Sequence, residues 1–290
     1  MRDKLIEYAR LMRLDRPVGI YLLLWPTLWA LWFAADGPPP WPILLVFVLG
    51  TVLMRSAGCA INDFADRGFD PHVARTRERP LAAGRIEPKE AVTLAVGLAL
   101  LALVLLLMLR NWLAVLWSVP AVLLATVYPF MKRHIALPQA VLGLAFSWGI
   151  PMAYAAVNGR IDWAEVLPLM CANVAWVIAY DTYYAMVDRE DDLKIGVKSA
   201  AILFGRHDRL AIALLQGGAL LLLIQLGLNS GMGQSYYAGI SVAAWLAAWQ
   251  QWSTRGREPA RCFQAFLNNH YFGMAIFIGL ALDYLLRGWT

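Results

Sequence analysis

Leucine, alanine and valine gather along this chain in long unbroken runs, separated by short polar or charged stretches. Nine runs stand out: residues 18–35, 42–61, 91–109, 112–129, 136–157, 163–187, 209–229, 235–252 and 267–287. A membrane-spanning helix needs about 20 predominantly apolar residues. A spanning β-strand instead alternates apolar and polar positions over about ten residues. The stretch Leu98–Leu109 is continuous and does not alternate. The pattern therefore predicts an all-α integral membrane protein, a bundle of nine transmembrane helices formed by residues 1–290 as one domain. The fourth, fifth and sixth runs contain proline or polar residues, so their predicted ends are soft.

Composition agrees. Of the 290 residues, 60% are hydrophobic and 16% charged, against roughly 45–50% and about 25% in soluble domains. Too little polar surface is present to cover the chain in water. This excludes an ordinary cytosolic enzyme, a disordered protein and a secreted disulfide scaffold. The first run could be mistaken for a signal peptide, but it is 18 residues long and holds Pro26 and several tryptophans. An export signal has a shorter apolar region of about 7–15 residues, so a retained span is expected. Cys59, Cys171 and Cys262 lack CxxC spacing and the four histidines are scattered, which argues against a zinc site. The net charge of +5 comes without a basic stripe or a base-stacking module, so nucleic acid is not an expected partner.

The basic residues fix an orientation. If the runs alternate across the membrane, 21 of the 25 Lys and Arg fall in segments on the N-terminal face. Arg110, Arg160 and Arg287 fall on the other, and Arg55 lies inside a span. Lys and Arg are retained in cytoplasmic loops. The expected topology has a cytoplasmic N-terminus and a periplasmic C-terminus, in the inner membrane of a bacterium. Losing or adding one span would destroy this asymmetry.

Loops on the opposite face are short and bland, whereas two on the N-terminal face are long and rich in both charges. One opens with Asn62, Asp63, Asp66 and Asp70 and continues through Arg75, Arg77 and Arg79. The other carries Asp181, Asp188, Asp191 and Asp192, then Lys194 and Lys198. Asn62 and Asp66 are four residues apart, as are Asp188 and Asp192, so each pair would share one face of a continuing helix. Two acids one turn apart repel slightly. Repeating that arrangement beside a membrane suggests a cation, although a solvated loop of paired acids and bases is the simpler alternative. Oxygen ligands without His or Cys favour a hard ion, and Mg²⁺ typically takes one or two carboxylates plus substrate phosphates. Arg67, Arg79 and Lys198, just beyond the acids, suit phosphate oxygens.

Arg55 is costly inside a span, at roughly 2.5–3.5 kcal/mol near the helix centre. It precedes Asn62 by seven residues, placing it on the same face and about 10 Å deeper. Asp181 precedes Asp188 by the same interval. A buried Arg55–Asp181 ion pair and a polar floor beneath a metal site are both expected possibilities. Tyr128, Lys132 and Arg133 end the fourth run on the same membrane face, as anchors or as ligands for phosphate or carboxylate.

These residues resemble the UbiA superfamily of intramembrane prenyltransferases. The similarity lies in NDxxDxxxD (Asn62, Asp63, Asp66, Asp70), in the later DxxxD (Asp188, Asp192) and in YxxxK (Tyr128, Lys132). Stretches such as Leu11–Pro17, Leu24–Trp32, Ala57–Asp63 and Tyr180–Thr182 with Ile202–Gly205 look like the bacterial 4-hydroxybenzoate branch, essentially from end to end. The resemblance implies nine spans around a cytoplasmic-side active-site cavity and Mg²⁺ as cofactor. It implies transfer of a polyprenyl group from polyprenyl diphosphate to a ring carbon of 4-hydroxybenzoate in ubiquinone biosynthesis, with membrane lipid as surroundings. On that pattern Asn62 and Asp66 would serve one metal, and Asp188 and Asp192 another. Lys132 would contact diphosphate and Arg133 the aromatic carboxylate. Asp181 is a candidate for helping to ionise the phenol. Related enzymes with naphthoate or haem acceptors share the acidic motifs and remain alternatives. A transporter would need polar groups across the membrane, and the polar clusters here sit at one face.

Overall fold

A computed structural model of the chain describes residues 2–73 and 75–287. It contains α1 (Arg2–Leu11), α2 (Val18–Ala35), α3 (Trp41–Asp66), α4 (Pro88–Met108), α5 (Trp112–Met131) and α6 (Pro138–Ser147). There follow α7 (Gly149–Asn158), α8 (Trp163–Ile195), α9 (Ala200–Phe204), α10 (Asp208–Asn229), α11 (Gln234–Ser253) and α12 (Pro259–Arg287). Among the described residues there is no β-strand, as expected where lipid offers backbone groups no hydrogen-bond partner.

Eight segments among the described residues are long and apolar enough to cross a membrane: α2, α3, α4, α5, α6 with α7, α8, α9 with α10, and α12. The chain is a multi-pass membrane protein. The predicted run 235–252 does form a helix, α11, but its glutamines and serines leave it less apolar than the other eight. The ends of α3, α5 and α8 explain how these helices sit. Each begins with an exposed tryptophan (Trp41, Trp112, Trp163), and tryptophan favours the lipid–water boundary. Each of these helices therefore starts where a lipid–water boundary suits its first residue. Val104, Met108 and Leu116 on α4 and α5 are more than half exposed and line no cavity among the described residues, which suits side chains facing lipid.

Three departures from the sequence expectation have physical causes. The fifth run is two helices, because Pro151 lacks an N–H and its ring clashes with the Ser147 carbonyl one turn back; the break falls at Trp148. Second, α3 and α8 run beyond the apolar limits of 61 and 187, carrying Asn62–Asp66 and Asp188–Asp192 as helix instead of loop. Third, α12 starts at Pro259, eight residues before the apolar run, because that stretch is amphipathic: Cys262 and Ala265 are buried while Arg261 and Gln264 are exposed. Farther along α12, Asn269 accepts from Trp176 Nε1 at 2.9 Å and Gln250 donates to Asn268 at 2.9 Å.

The core lies around α8, whose Trp176 and Tyr180 are almost fully buried. On its flank α11 and α12 meet through glycines. A Cβ at Gly239 would lie 2.5 Å from the Ala275 carbonyl and 2.9 Å from Gly279 Cα. Small residues allow such close backbone approach between helices in membranes.

Candidate active site

The extension of α3 brings its acids into a network of cations. Asn62 Nδ2 donates to Asp66 Oδ2 at 3.2 Å, so the pair does share one helix face. Lys132, just past α5, donates to the same Asp66 oxygen at 2.8 Å. Asp63, only 1% exposed, is held by Arg13 at 2.8 Å and by Arg79 at 3.2 Å. Arg79 also bridges to Asp70 at 2.9 Å. The turn beyond α3 is closed by Thr76 Oγ1, which donates to the Asp70 carbonyl at 2.9 Å.

The end of α8 is held differently. Arg75, from the segment linking α3 to α4, grips Asp188 with two guanidinium nitrogens and donates to the Tyr184 hydroxyl. Its guanidinium lies 4.2 Å from the Tyr184 ring centroid, a cation–π contact. Asp192, one turn on, forms no ion pair within the described residues. Positive charge is strongly stabilised here. Burial works against the charged form of Arg75, but Tyr184 and Asp188 outweigh it and hold its pKa above the ordinary value. Arg79 is likewise raised against burial by Asp63 and Asp70, and Lys132 by Asp66. Burial raises the Asp70 carboxyl, and Arg79 opposes that rise.

Both acidic ends line one cavity of about 110 Å³, with Asp66 and Asp70 on one wall and Asp188 and Asp192 on the other. Arg75, Arg79, Lys132 and Lys198 also face it. A second cavity of about 1960 Å³ lies alongside, well above the 300–1,000 Å³ of an ordinary small-ligand pocket. Tyr128, Lys132, Asp181, Tyr184, Arg75 and Arg79 line both. The larger space is walled mainly by apolar side chains of α3, α4, α5 and α12.

The remaining predicted residues separate into two groups. Asn62 and Arg55 line the larger cavity, Asp181 the junction, and Lys198 the smaller one, where its ammonium donates to the His134 carbonyl at 3.0 Å. Arg55 does not pair with Asp181: it donates to Cys59 Sγ at 2.8 Å, and its Nε has no partner among the described residues. Arg133 and Arg67 line neither cavity. Arg133 donates to the Ala65 carbonyl at 2.5 Å and packs against Phe69 and Phe130. Arg67 is exposed and donates to the Phe64 carbonyl of its own turn. Sequence reading did not single out Arg75 from Arg77, because both are arginines in one charged loop. Only the fold sends Arg75 across to Asp188 while Arg77 stays at the surface beside Glu78.

Among the described residues, no three His, Cys, Asp or Glu side chains converge closely enough to hold a metal by themselves. The donors do fit Mg²⁺ in another way. They are all oxygens, split between two facing walls and interleaved with lysine and arginine. Mg²⁺ commonly takes one or two carboxylates and completes its shell with water and substrate phosphates.

Comparison with known proteins bears on this arrangement. The chain is 59% identical over 285 residues to a 4-hydroxybenzoate octaprenyltransferase of Nitrosococcus oceani, covering 98% of this chain and 99% of that protein. In fold it is similar to the apo structure of a UbiA homolog from Aeropyrum pernix K1, with TM-score 0.80 and 24% identity over 91% of this chain and 97% of that one. It is also similar to a UbiA homolog from Archaeoglobus fulgidus bound to GPP and Mg²⁺, with TM-score 0.70 and 18% identity over 97% and 99% of the two chains. The UbiA prenyltransferase family matches residues 23–277, a span that holds every acid of the two facing walls. The chain belongs to the UbiA prenyltransferase family.

Proposed function

We propose that this protein transfers a polyprenyl group from polyprenyl diphosphate to the carbon ortho to the hydroxyl of 4-hydroxybenzoate, with Mg²⁺ as cofactor, in ubiquinone biosynthesis. One observation carries the reading: two acidic helix ends face each other across a small cationic cavity that adjoins a large apolar one. The full-length similarity to a 4-hydroxybenzoate octaprenyltransferase supports the choice of acceptor.

Asn62 and Asp66 on one wall, with Asp188 and Asp192 on the other, would hold the metal ions. Bound Mg²⁺ supplies charge neutralisation for the departing diphosphate. Lys132 and Arg79 add fixed positive charge at the same place, a preorganised stabilisation of developing negative charge. The allylic C–O bond breaks, and diphosphate leaves with the bonding electrons. The apolar cavity houses the prenyl chain and keeps water from the allylic cation, while Tyr128 and Tyr184 offer aromatic faces to it. The ring carbon attacks that cation and then loses its proton. Asp181, at the junction of the two cavities, is placed to assist ionisation of the acceptor hydroxyl. Arg55, deeper on α3 with an unpartnered Nε, is better placed than Arg133 to hold the acceptor carboxylate.

We read α11 as a ninth span, so that the N-terminus is cytoplasmic and the C-terminus periplasmic in a bacterial inner membrane. Residues 1–290 then act as one domain with its active-site cavity on the cytoplasmic side. The test is to incubate membranes containing the chain with labelled 4-hydroxybenzoate, prenyl diphosphates and Mg²⁺. A prenylated product is expected; its absence with every donor, from folded protein, defeats the reading. Terminal reporter fusions test the topology separately.

A further inference from the structure

The floor of the large cavity contains a polar group that nothing in the fold satisfies. Tyr180 is 1% exposed, and its hydroxyl has no hydrogen-bond partner among the described residues. A buried donor left unpaired is destabilising, because it has given up water and gained nothing in return. Tyr183, Tyr237 and Tyr284 also have unpartnered buried hydroxyls, but of these four only Tyr180 lines the cavity.

Its position is defined on two sides. Along α8, Tyr180 lies eight residues before Asp188, roughly 12 Å deeper by helical rise. Arg55 on α3 lies seven residues before Asn62, roughly 10 Å deeper. Both residues line the cavity, and Arg55 lies near enough for its charge to act on the Tyr180 hydroxyl. The Tyr180 ring is held in place from behind. Trp176 meets it edge-on at 5.2 Å, and Phe266 at 6.1 Å. Trp176 is itself fixed by Asn269, which donates to Gln250, which accepts from Gln216 at 2.7 Å. Four helices of the bundle thereby fix one ring, although nothing within the fold uses its hydroxyl.

We infer that Tyr180 is a specificity-determining residue for the aromatic acceptor. Its O–H donates to the acceptor carboxylate that Arg55 also holds. This rests on the proposed function and adds to it a second donor and a direction: carboxylate on the floor, hydroxyl and ortho carbon toward the diphosphate cavity. A carboxylate held by a guanidinium and a phenol hydroxyl is favoured over a neutral ring of the same size, because only the anion satisfies both donors.

The test is Tyr180→Phe in the full chain, which keeps the ring and its packing. The KM for 4-hydroxybenzoate is expected to rise roughly tenfold or more, the scale of one hydrogen bond to a charged group. The KM for prenyl diphosphate and the unfolding temperature should be unchanged. Active Tyr180→Phe protein with an unchanged acceptor KM overturns the inference and leaves the proposed function standing. Lack of prenyl transfer by the wild-type chain defeats the proposed function instead. A second measurement does not depend on the variant folding. With 3-fluorotyrosine incorporated, the ¹⁹F resonance assigned to position 180 should shift when benzoate is added and stay fixed when phenol is added. A resonance insensitive to saturating benzoate also overturns the inference.

Discussion

The two acidic helix ends have the same spacing and different support. On α3, Asp63 and Asp66 are tied by Arg13, Arg79 and Lys132, contributed by three different segments of the chain. On α8, Arg75 is the one cation paired with Asp188 among the described residues, and Asp192 has no ion pair there. The difference shows that one loop serves both. The segment after α3 folds back through Arg79 onto its own helix and reaches over through Arg75 to α8. One wall is therefore a saturated, buried network, and the other is a carboxylate pair held by a single removable cation.

The strongest way to break this comparison is to remove a carboxylate from each wall. Asp66→Ala and Asp188→Ala should each lower kcat by roughly 10²–10³-fold, the scale of losing one preorganised electrostatic element, with membrane insertion intact. Full Mg²⁺-dependent turnover in either purified variant would sink the two-walled site. Chelating divalent ions should stop turnover in the wild-type protein, and added Mg²⁺ should restore it; activity that persists in excess chelator removes the metal from the mechanism.

Lys132→Ala is expected to cost about 10²-fold in kcat/KM, because it strips positive charge from the shared cavity and unpairs Asp66. Arg75→Ala should lower the unfolding temperature more than Lys132→Ala and raise the donor KM, since Asp188 loses its cation while α3 keeps Arg13 and Arg79. Equal thermal shifts in the two variants would argue that the walls are not supported differently. Away from the site, Gly279→Val forces α11 from α12 and should destabilise the protein by about 1–3 kcal/mol, visible as a lower unfolding temperature. The smallest effect belongs to Arg133→Ala. Because Arg133 lines neither cavity, its acceptor KM should change less than about threefold; a large rise in that constant alone would return the carboxylate to Arg133.

Much of this architecture was legible because lipid is a demanding solvent. A backbone in hydrocarbon must satisfy its own hydrogen bonds, so apolar runs become helices, and eight did so with the required length and composition. The break in the fifth run was less legible, since Pro26, Pro120 and Pro168 sit inside intact helices and only Pro151 coincides with a break. The extension of α3 and α8 could not be read from local pattern. Acids one turn apart slightly oppose helix, and apolarity ends before them. The helices continue because cations distant in sequence neutralise those acids, Lys132 across 66 residues and Arg75 across 113.

Sequence alone determined the membrane character, the helical class and the residue types gathered at one face, since hydropathy and charge act locally and add along the chain. It also placed Asn62 with Asp66, and Asp188 with Asp192, one helical turn apart, because four residues nearly complete a turn. Tertiary structure alone decided which arginine crosses to α8, that Arg133 and Arg67 turn away, and that Tyr180 and Arg55 line the same cavity. Those outcomes depend on which helices become neighbours and at what depth, and neither quantity is encoded by the spacing within any one segment.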